Sequence, residues 1–346
     1  MASTVIHGNP ASTAADFGDV RSEFGTLLSG CGVYDLSSRV KIALTGSDRV
    51  RWLNGMVTNN IRDLAQGHGV YAFLLNPQGH ILGDLYTYNR GDSLTIDTDR
   101  SQAEKLLATF DHYIIMDDVE VANLSPQLTA IGITGPKAPE VLRAAGFAIS
   151  ALEPLQFVDV TSRNVAVTVV RGDNASVESY ELWLSPDQGT LLRDALVEAG
   201  ATLVGTAALE LLRIAAGIPR YGQDIRERDL PQETEQQRAV HFNKGCYIGQ
   251  EIVERIRSRG NVHRKFTGFE VQGGLPGAGT KIQADGRDIG EVTSVASLPL
   301  AAGDRTVALG YIRREIATPG KQFQVGGTQL SVAALPFSEI FQRENL

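Results

Sequence analysis

The stretch Phe242-Asn243-Lys244-Gly245-Cys246-Tyr247-Ile248-Gly249-Gln250-Glu251 sets a cysteine between two glycines, two residues after a lysine. Glycines at −1 and +3 from that cysteine let the backbone turn sharply and let a ligand approach the sulfur closely. From Gln250 the spacing of Ile252, Val253 and Ile256 predicts a helix, so Cys246 falls just ahead of a helix N-terminus. Unpaired amide donors and the positive dipole end there favour a thiolate over a thiol. Between Arg238 and Lys265, seven Lys or Arg stand against two Glu, a local net of +5 in a chain of net −8. A reactive Cys246 and an anion site that includes Lys244 are therefore expected in one locale. The competing reading makes Cys246 a small buried residue and the arginines a solvated helix face. Glycines, lysine and helix start converging on one sulfur favour function. Cys31, between Gly30 and Gly32 with no cation nearby, keeps the core reading. The two cysteines lie far apart and form no CxxC pair, so they build no cysteine-rich metal site, and no metal is expected.

Upstream, Val40, Ile42 and Leu44 alternate as a half-buried strand, and Ser47-Asp48 precedes a helical spacing of Val50, Leu53 and Met56. Residues 70 to 97 read as a three-stranded meander with turns at Asn76-Pro77-Gln78-Gly79 and Asn89-Arg90-Gly91-Asp92, and Asp84 lies inside the middle strand. A helix capped near Asp99 follows, then strands at 119–121 and 129–133. Gly135-Pro136 opens a helix that Gly146 closes. Alternation at Val165, Val167 and Val169 and at Tyr180, Leu182 and Leu184, followed by a helix from Pro186 to Ala199, marks a second α+β unit. Thr206 caps an amphipathic helix that ends at Gly217-Ile218-Pro219. Beyond Arg264, short alternating runs at 266–271, 287–295, 306–312 and 327–334 between Gly and Pro clusters predict a small all-β barrel.

The 346 residues leave room for two or three domains. With 42% hydrophobic and 21% charged residues, the composition is that of a globular protein and excludes a disordered or fibrous chain. Forty acidic against 32 basic side chains argue against a surface that attracts nucleic acid or anionic lipid in general. Met1 to Gly8 carries no leader pattern, and no apolar run reaches the roughly 18 residues of a membrane span. A cytoplasmic protein without membrane contact is expected.

Lys-Gly-Cys-Tyr-Ile-Gly-Gln-Glu at 244–251 resembles the signature of the YgfZ family of folate-binding proteins, which includes a factor for late iron-sulfur cluster assembly. From about Gly18 to near the C-terminus the chain resembles the broader superfamily of aminomethyltransferase, the T-protein of glycine cleavage. The resemblance implies an α+β, three-domain aminomethyltransferase (GcvT)-like fold, with domains in a ring around a central folate pocket and a small C-terminal β-barrel. It places the first domain at 1–125 plus 205–262, the second at 126–204 and the barrel at 263–346.

Leu212-Arg213-Ile214-Ala215-Ala216-Gly217 and Tyr221-Gly222-Gln223-Asp224 are similar to T-protein elements, which implies Arg213 and Tyr221 as folate contacts. Tyr180-Glu181-Leu182 is similar to the segment whose glutamate holds the pterin, a role that suits a carboxylate facing two adjacent donors. Gly79-His80-Ile81-Leu82-Gly83-Asp84 is similar to the segment that ends in the T-protein's catalytic aspartate. Gly135-Pro136-Lys137-Ala138 matches a further element, read as structural. Two departures weaken aminomethyl transfer: Ala215 stands where T-proteins usually carry glutamate, and Arg171-Gly172-Asp173-Asn174-Ala175-Ser176 replaces most of a glycine-rich loop.

The resulting expectation is a tetrahydrofolate-binding protein that supports iron-sulfur cluster assembly or repair in client enzymes, tRNA-modifying ones among them. Its chemistry would rest on Cys246 and Asp84, and its folate contacts on Glu181, Arg213, Tyr221 and Lys244. The alternative is a folate-dependent aminomethyltransferase acting through Asp84. A third reading, a tRNA-binding module using Arg255, Arg257, Arg259, Arg264 and Lys265, is disfavoured by the acidic remainder of the chain.

Overall fold

The structure, a computed structural model, describes residues 14–342 except 163, 261 and 285. The N-terminal residues read for leader signals and the side chain of Arg259 lie outside the described residues. No helix among the described residues is long and apolar enough to cross a membrane.

The first sheet is antiparallel, in the order Gly69–Leu75, Ile81–Asn89, Leu94–Asp99, Arg39–Thr45 and Glu120–Asn123. Its three leading strands are the meander read from turns and alternation. The helices Arg49–Met56 and Arg100–Tyr113 cover one face, where Ile42, Leu74, Leu85 and Ile96 pack on Trp52, Leu53, Leu106 and Phe110. Asp99 caps the second helix by accepting from the Ser101 amide.

The second sheet runs Thr202–Leu203, Gly32–Asp35, Thr129–Thr134, Ser179–Leu184, Val165–Arg171, Phe157–Ser162. The helices Ala138–Ala144 and Gly189–Glu198 bury its core around Ile133, Val169 and Leu182. Gly32–Asp35 lies early in the chain, yet it pairs with Thr129–Thr134 in this sheet. Gly132 explains the fit: a Cβ there would come 2.1 Å from the Tyr34 ring, so the glycine leaves the ring its seat. The short length of this strand hides its partner from sequence periodicity. The helix after Gly135-Pro136 starts at Ala138, and Gly205, not Thr206, is the N-cap of the helix Thr206–Ala215, which Gly217 ends at φ +67°.

The C-terminal sheet follows the order Lys281–Ala284, Arg287–Leu300, Gly303–Arg313, Arg264–Gln272, Thr328–Ala333, Gln322–Val325 and curls into a nearly closed barrel. Its two edge strands, of four residues each, were too short to register as alternation. Phe269, Ile282, Val292 and Leu330 fill the interior. Ala296, Leu298, Leu309 and Tyr311 pack outward on the helices Val20–Ser29 and Thr206–Ala215, so the barrel and these helices share one core.

Candidate functional site

Residues directly opposed in an antiparallel pair point to the same face. The registers Tyr71↔Tyr86, Tyr86↔Asp97 and Asp97↔Lys41 therefore lay a polar row across four strands of the first sheet, on the face opposite its helices. Phe73↔Asp84 is the next row. One end of this face is sealed against the second sheet by Tyr88, Phe157, Val170 and Trp183, and the other against the 225–253 segment by Tyr71, Phe73, Tyr247 and Val253.

Glu181 enters from the second sheet. Its Oε2 accepts from Trp183 Nε1 at 2.7 Å and faces Lys41 Nζ at 3.5 Å. The Lys41 side chain is 1% exposed; its ammonium lies 2.6 Å from Asp97 and 4.5 Å from the Trp183 ring centre. Arg39 reaches Asp97 as well. Burial opposes ionisation of Asp97, but the charges of Arg39 and Lys41 outweigh it and hold the carboxyl below its ordinary value. The network of Arg39, Lys41, Asp97 and Glu181 is balanced, two charges against two. Among the described residues nothing bonds to Glu181 Oε1, and Glu181 lines a cleft of about 240 Å³ with Tyr34, Arg39, Tyr86, Tyr88 and Asp173.

Asp84 is half-buried. Its Oδ2 accepts from the Tyr71 hydroxyl at 2.7 Å and its Oδ1 from Gln102 Nε2 at 2.7 Å. Burial, then the Asp84 charge, push the Tyr71 phenol well above its ordinary value, which keeps it a donor. The Arg238 guanidinium lies over the Tyr71 ring at 4.4 Å and pairs with Asp173. The structure thus puts Glu181 on a cleft wall and Asp84 on the same sheet face as Tyr86, outside the lining of that cleft, and adds Lys41, Asp97, Tyr71, Tyr86 and Arg238, which the sequence reading did not select. Arg39 and Lys41 alternate with Val40, Ile42 and Leu44, which in sequence looks like an ordinary solvent-facing side.

The other expected residues are spent on structure. Arg213 uses all five N–H groups on Glu210, Asp224, Ser294 and the Ile218 carbonyl, joining its helix to the barrel. Asp224 is fully buried beneath it, so Arg213 has no donor left for a folate. The Tyr221 hydroxyl donates to the Leu82 carbonyl at 2.6 Å and accepts from Lys105 at 2.7 Å. Lys244 turns inward and donates to the carbonyls of Asn54, Val57 and Asn59 at 2.5, 2.6 and 2.7 Å. Burial, with the Arg62 charge, pushes the Lys244 ammonium down to about 7, while the three carbonyls favour keeping its proton.

The motif around Cys246 is a scaffold. Tyr247 is buried, and burial pushes its phenol up to about 12. Gly249, at φ +79°, is the N-cap of the helix Gln250–Arg259, and a Cβ on it would sit 2.6 Å from the Asn76 carbonyl. That glycine serves packing against the 76–79 turn rather than access to the sulfur. Cys246 is exposed, makes no hydrogen bond among the described residues, and lines neither this cleft nor the one beside it. The expected pairing of thiol and lysine is therefore not formed. Arg255 pairs with Glu251, Arg257 with Glu254, and Arg264 with Asp229 and Glu233, so most of the basic run is already compensated. Cys31 is buried, and its thiol is pushed up to about 12, as suits a core residue.

Residues 10–244 match the GCVT N-terminal domain model, and residues 264–341 match the glycine cleavage T-protein C-terminal barrel domain. The aminomethyltransferase of Halothermothrix orenii is 29% identical over 326 residues, covering 91% of this chain and 89% of that protein. The aminomethyltransferase of Rubrobacter xylanophilus is 29% identical over 303 residues, covering 86% and 80%. The crystal structure of glycine cleavage system aminomethyltransferase T from Bartonella henselae superposes with a TM-score of 0.83 at 24% identity, over 92% of this chain and 89% of that one, a likeness of fold. Two sheets with flanking helices, a terminal barrel and a matched first domain spanning more than half the residues place the chain in the glycine cleavage T-protein (GCVT) family.

Proposed function

We propose that this protein binds a reduced folate, tetrahydrofolate or a derivative, between its first two sheets, with the pterin ring against Glu181. The observation that carries this reading is the divided carboxylate of Glu181: one oxygen is anchored by Trp183, and the other is open to an aromatic-walled cleft. A pterin presents a ring N–H and an amino group side by side, two donors that one carboxylate can accept, and the half-buried Tyr86 offers its ring in the same lining.

For the activity we propose folate-dependent aminomethyl transfer. The names of the relatives support it, as does Asp84, a carboxylate held by two donors on the same face as Tyr86 and suited to stabilise positive charge at a reacting nitrogen. Ala215 counts against it: the position is buried in the core shared with the barrel and supplies no carboxylate. The YgfZ-like reading, support of iron-sulfur clusters in client enzymes, keeps one observation of its own. Lys244, Tyr247 and Gly249 are fixed inward, and the thiol of Cys246 is left outside on a rigid base.

Two assays on two variants separate these readings: aminomethyl transfer to tetrahydrofolate in vitro, and rescue of iron-sulfur enzyme activity in a deletion strain. Aminomethyl transfer predicts that Asp84→Asn loses turnover while Cys246→Ser keeps it. Loss of rescue in Cys246→Ser with unchanged folate affinity would promote the second reading. We also propose a three-domain division near residues 126, 205 and 263, with Gly32–Asp35 assigned to the second domain because of its pairing.

A further inference from the structure

Beside the Glu181 cleft lies a second one of about 470 Å³, lined by Ser176, Gln236, Arg238, Lys265 and Thr267 among others. The two clefts share Asp173 and Asn174. Asp173 belongs to the segment between the strands Val165–Arg171 and Ser179–Leu184, and Arg238 to the turn Gln237–Ala239. Their ion pair therefore crosses from the second sheet to the chain packed on the first, at the boundary between the clefts. Asp173 also accepts from the Tyr86 hydroxyl at 3.3 Å, so one carboxylate at the shared rim of the clefts is held by residues of both. The Arg238 side chain remains 37% exposed despite this pairing.

The charges of the second cleft are unevenly matched. Glu235 is paired with Arg314 at 3.5 Å, and Asp173 neutralises Arg238, but Lys265 has no acidic partner among the described residues. If Asp173 left Arg238, two cations would face the same space. Asn174, Ser176 and Gln236 add neutral polar groups there, a lining that suits an extended anionic chain.

We infer that Asp173 is an internal stand-in for the ligand's own anion: a ligand with its ring in the Glu181 cleft and a carboxylate tail in the second cleft displaces Asp173, and Arg238 and Lys265 then hold the tail. This rests on the folate reading, whose ligand has a pterin head and a benzoylglutamate tail. Arg238 and Lys265 become specificity-determining residues for the tail, and Asp173 a competitor that lowers affinity.

The test compares tetrahydrofolate with a tetrahydropterin lacking the tail, by calorimetric titration of the full chain. Lys265→Gln weakens tetrahydrofolate about five- to ten-fold, the worth of one partly solvated charged contact, and leaves the tetrahydropterin unchanged. Asp173→Asn removes the competing charge but keeps an acceptor for Tyr86, and it tightens tetrahydrofolate relative to the tetrahydropterin by a similar factor. Unchanged tetrahydropterin affinity in Lys265→Gln, whose side chain lies outside the Glu181 cleft, shows that the clefts remain folded. Equal effects on both ligands, or no tightening in Asp173→Asn, overturn the inference while leaving pterin binding intact. Wild-type protein that binds neither ligand overturns the folate reading and this inference with it.

Discussion

The 244–251 motif and the cleft between the sheets both carry charges that stand out in the sequence, and they use them in opposite ways. Lys244 has three donors and fills all three with carbonyls of the 54–59 segment. Glu181 is tied by one oxygen and presents the other to open space. A polar group with every valence filled holds a fold together, whereas one pinned in place with a valence unfilled is prepared for a ligand. Arg213 falls with Lys244 by this criterion, while Asp84, with a donor on each oxygen, stands between the two classes.

The sharpest way to break the comparison is to remove the lysine. Lys244→Met strands three buried carbonyls, so unfolding free energy should drop by about 3–5 kcal/mol, read by urea denaturation. A loss below about 1 kcal/mol would mean the carbonyls find water and the motif is no scaffold. Arg213→Gln should cost about 3 kcal/mol, because it leaves the Asp224 carboxylate buried without its cation. Normal stability with lost folate binding would return Arg213 to the list of ligand contacts.

Glu181→Gln should behave in the contrary way. Tetrahydrofolate affinity falls about ten-fold, worth about 1.4 kcal/mol, and the midpoint of unfolding barely moves. Equal affinity in the variant would empty the cleft of its proposed role.

A smaller effect belongs to the barrel. Burial raises the Glu291 carboxyl, but hydrogen bonds from Arg226 and Lys281 outweigh this and bring it from 4.5 to about 2. A depressed carboxyl stabilises the fold above its unfolded value, and that stability is lost as pH falls from about 4.5 through about 2. Because Lys281 is half in water, the contribution should be roughly 1–2 kcal/mol after screening. Glu291→Gln should flatten that part of the acid limb in a pH series of thermal melts. Least of all, Cys246→Ser should leave stability within about 0.5 kcal/mol, since the exposed sulfur packs on nothing that the hydroxyl would miss.

Much of the architecture was legible because it is local. Alternation and turn residues marked the strands of the meander, and Gly217 marked a helix end through its left-handed backbone. The strand Gly32–Asp35 and the four-residue barrel edges escaped because they are too short for a period to show. In the site, Asp84 and Glu181 stood out through the segments that carry them, and the structure puts Glu181 on a cleft wall and Asp84 on the face of the first sheet away from its helices. Lys41 and Asp97 were not, since a charge that alternates with apolar residues reads as solvent-facing until a second sheet covers it.

The sequence by itself determined the strands and helices with clear periods, the barrel at the end, and a shortlist of polar residues carried by recognisable segments. Tertiary structure alone decided which of those polar residues are free to act. Local spacing fixes the face on which a side chain points, but its remaining hydrogen-bonding capacity depends on partners distant in the chain: residues 54–59 for Lys244, Ser294 for Arg213, Lys41 for Glu181. Packing alone brings those partners together, because satisfying a buried charge is a property of the assembled interior and not of the segment that carries it.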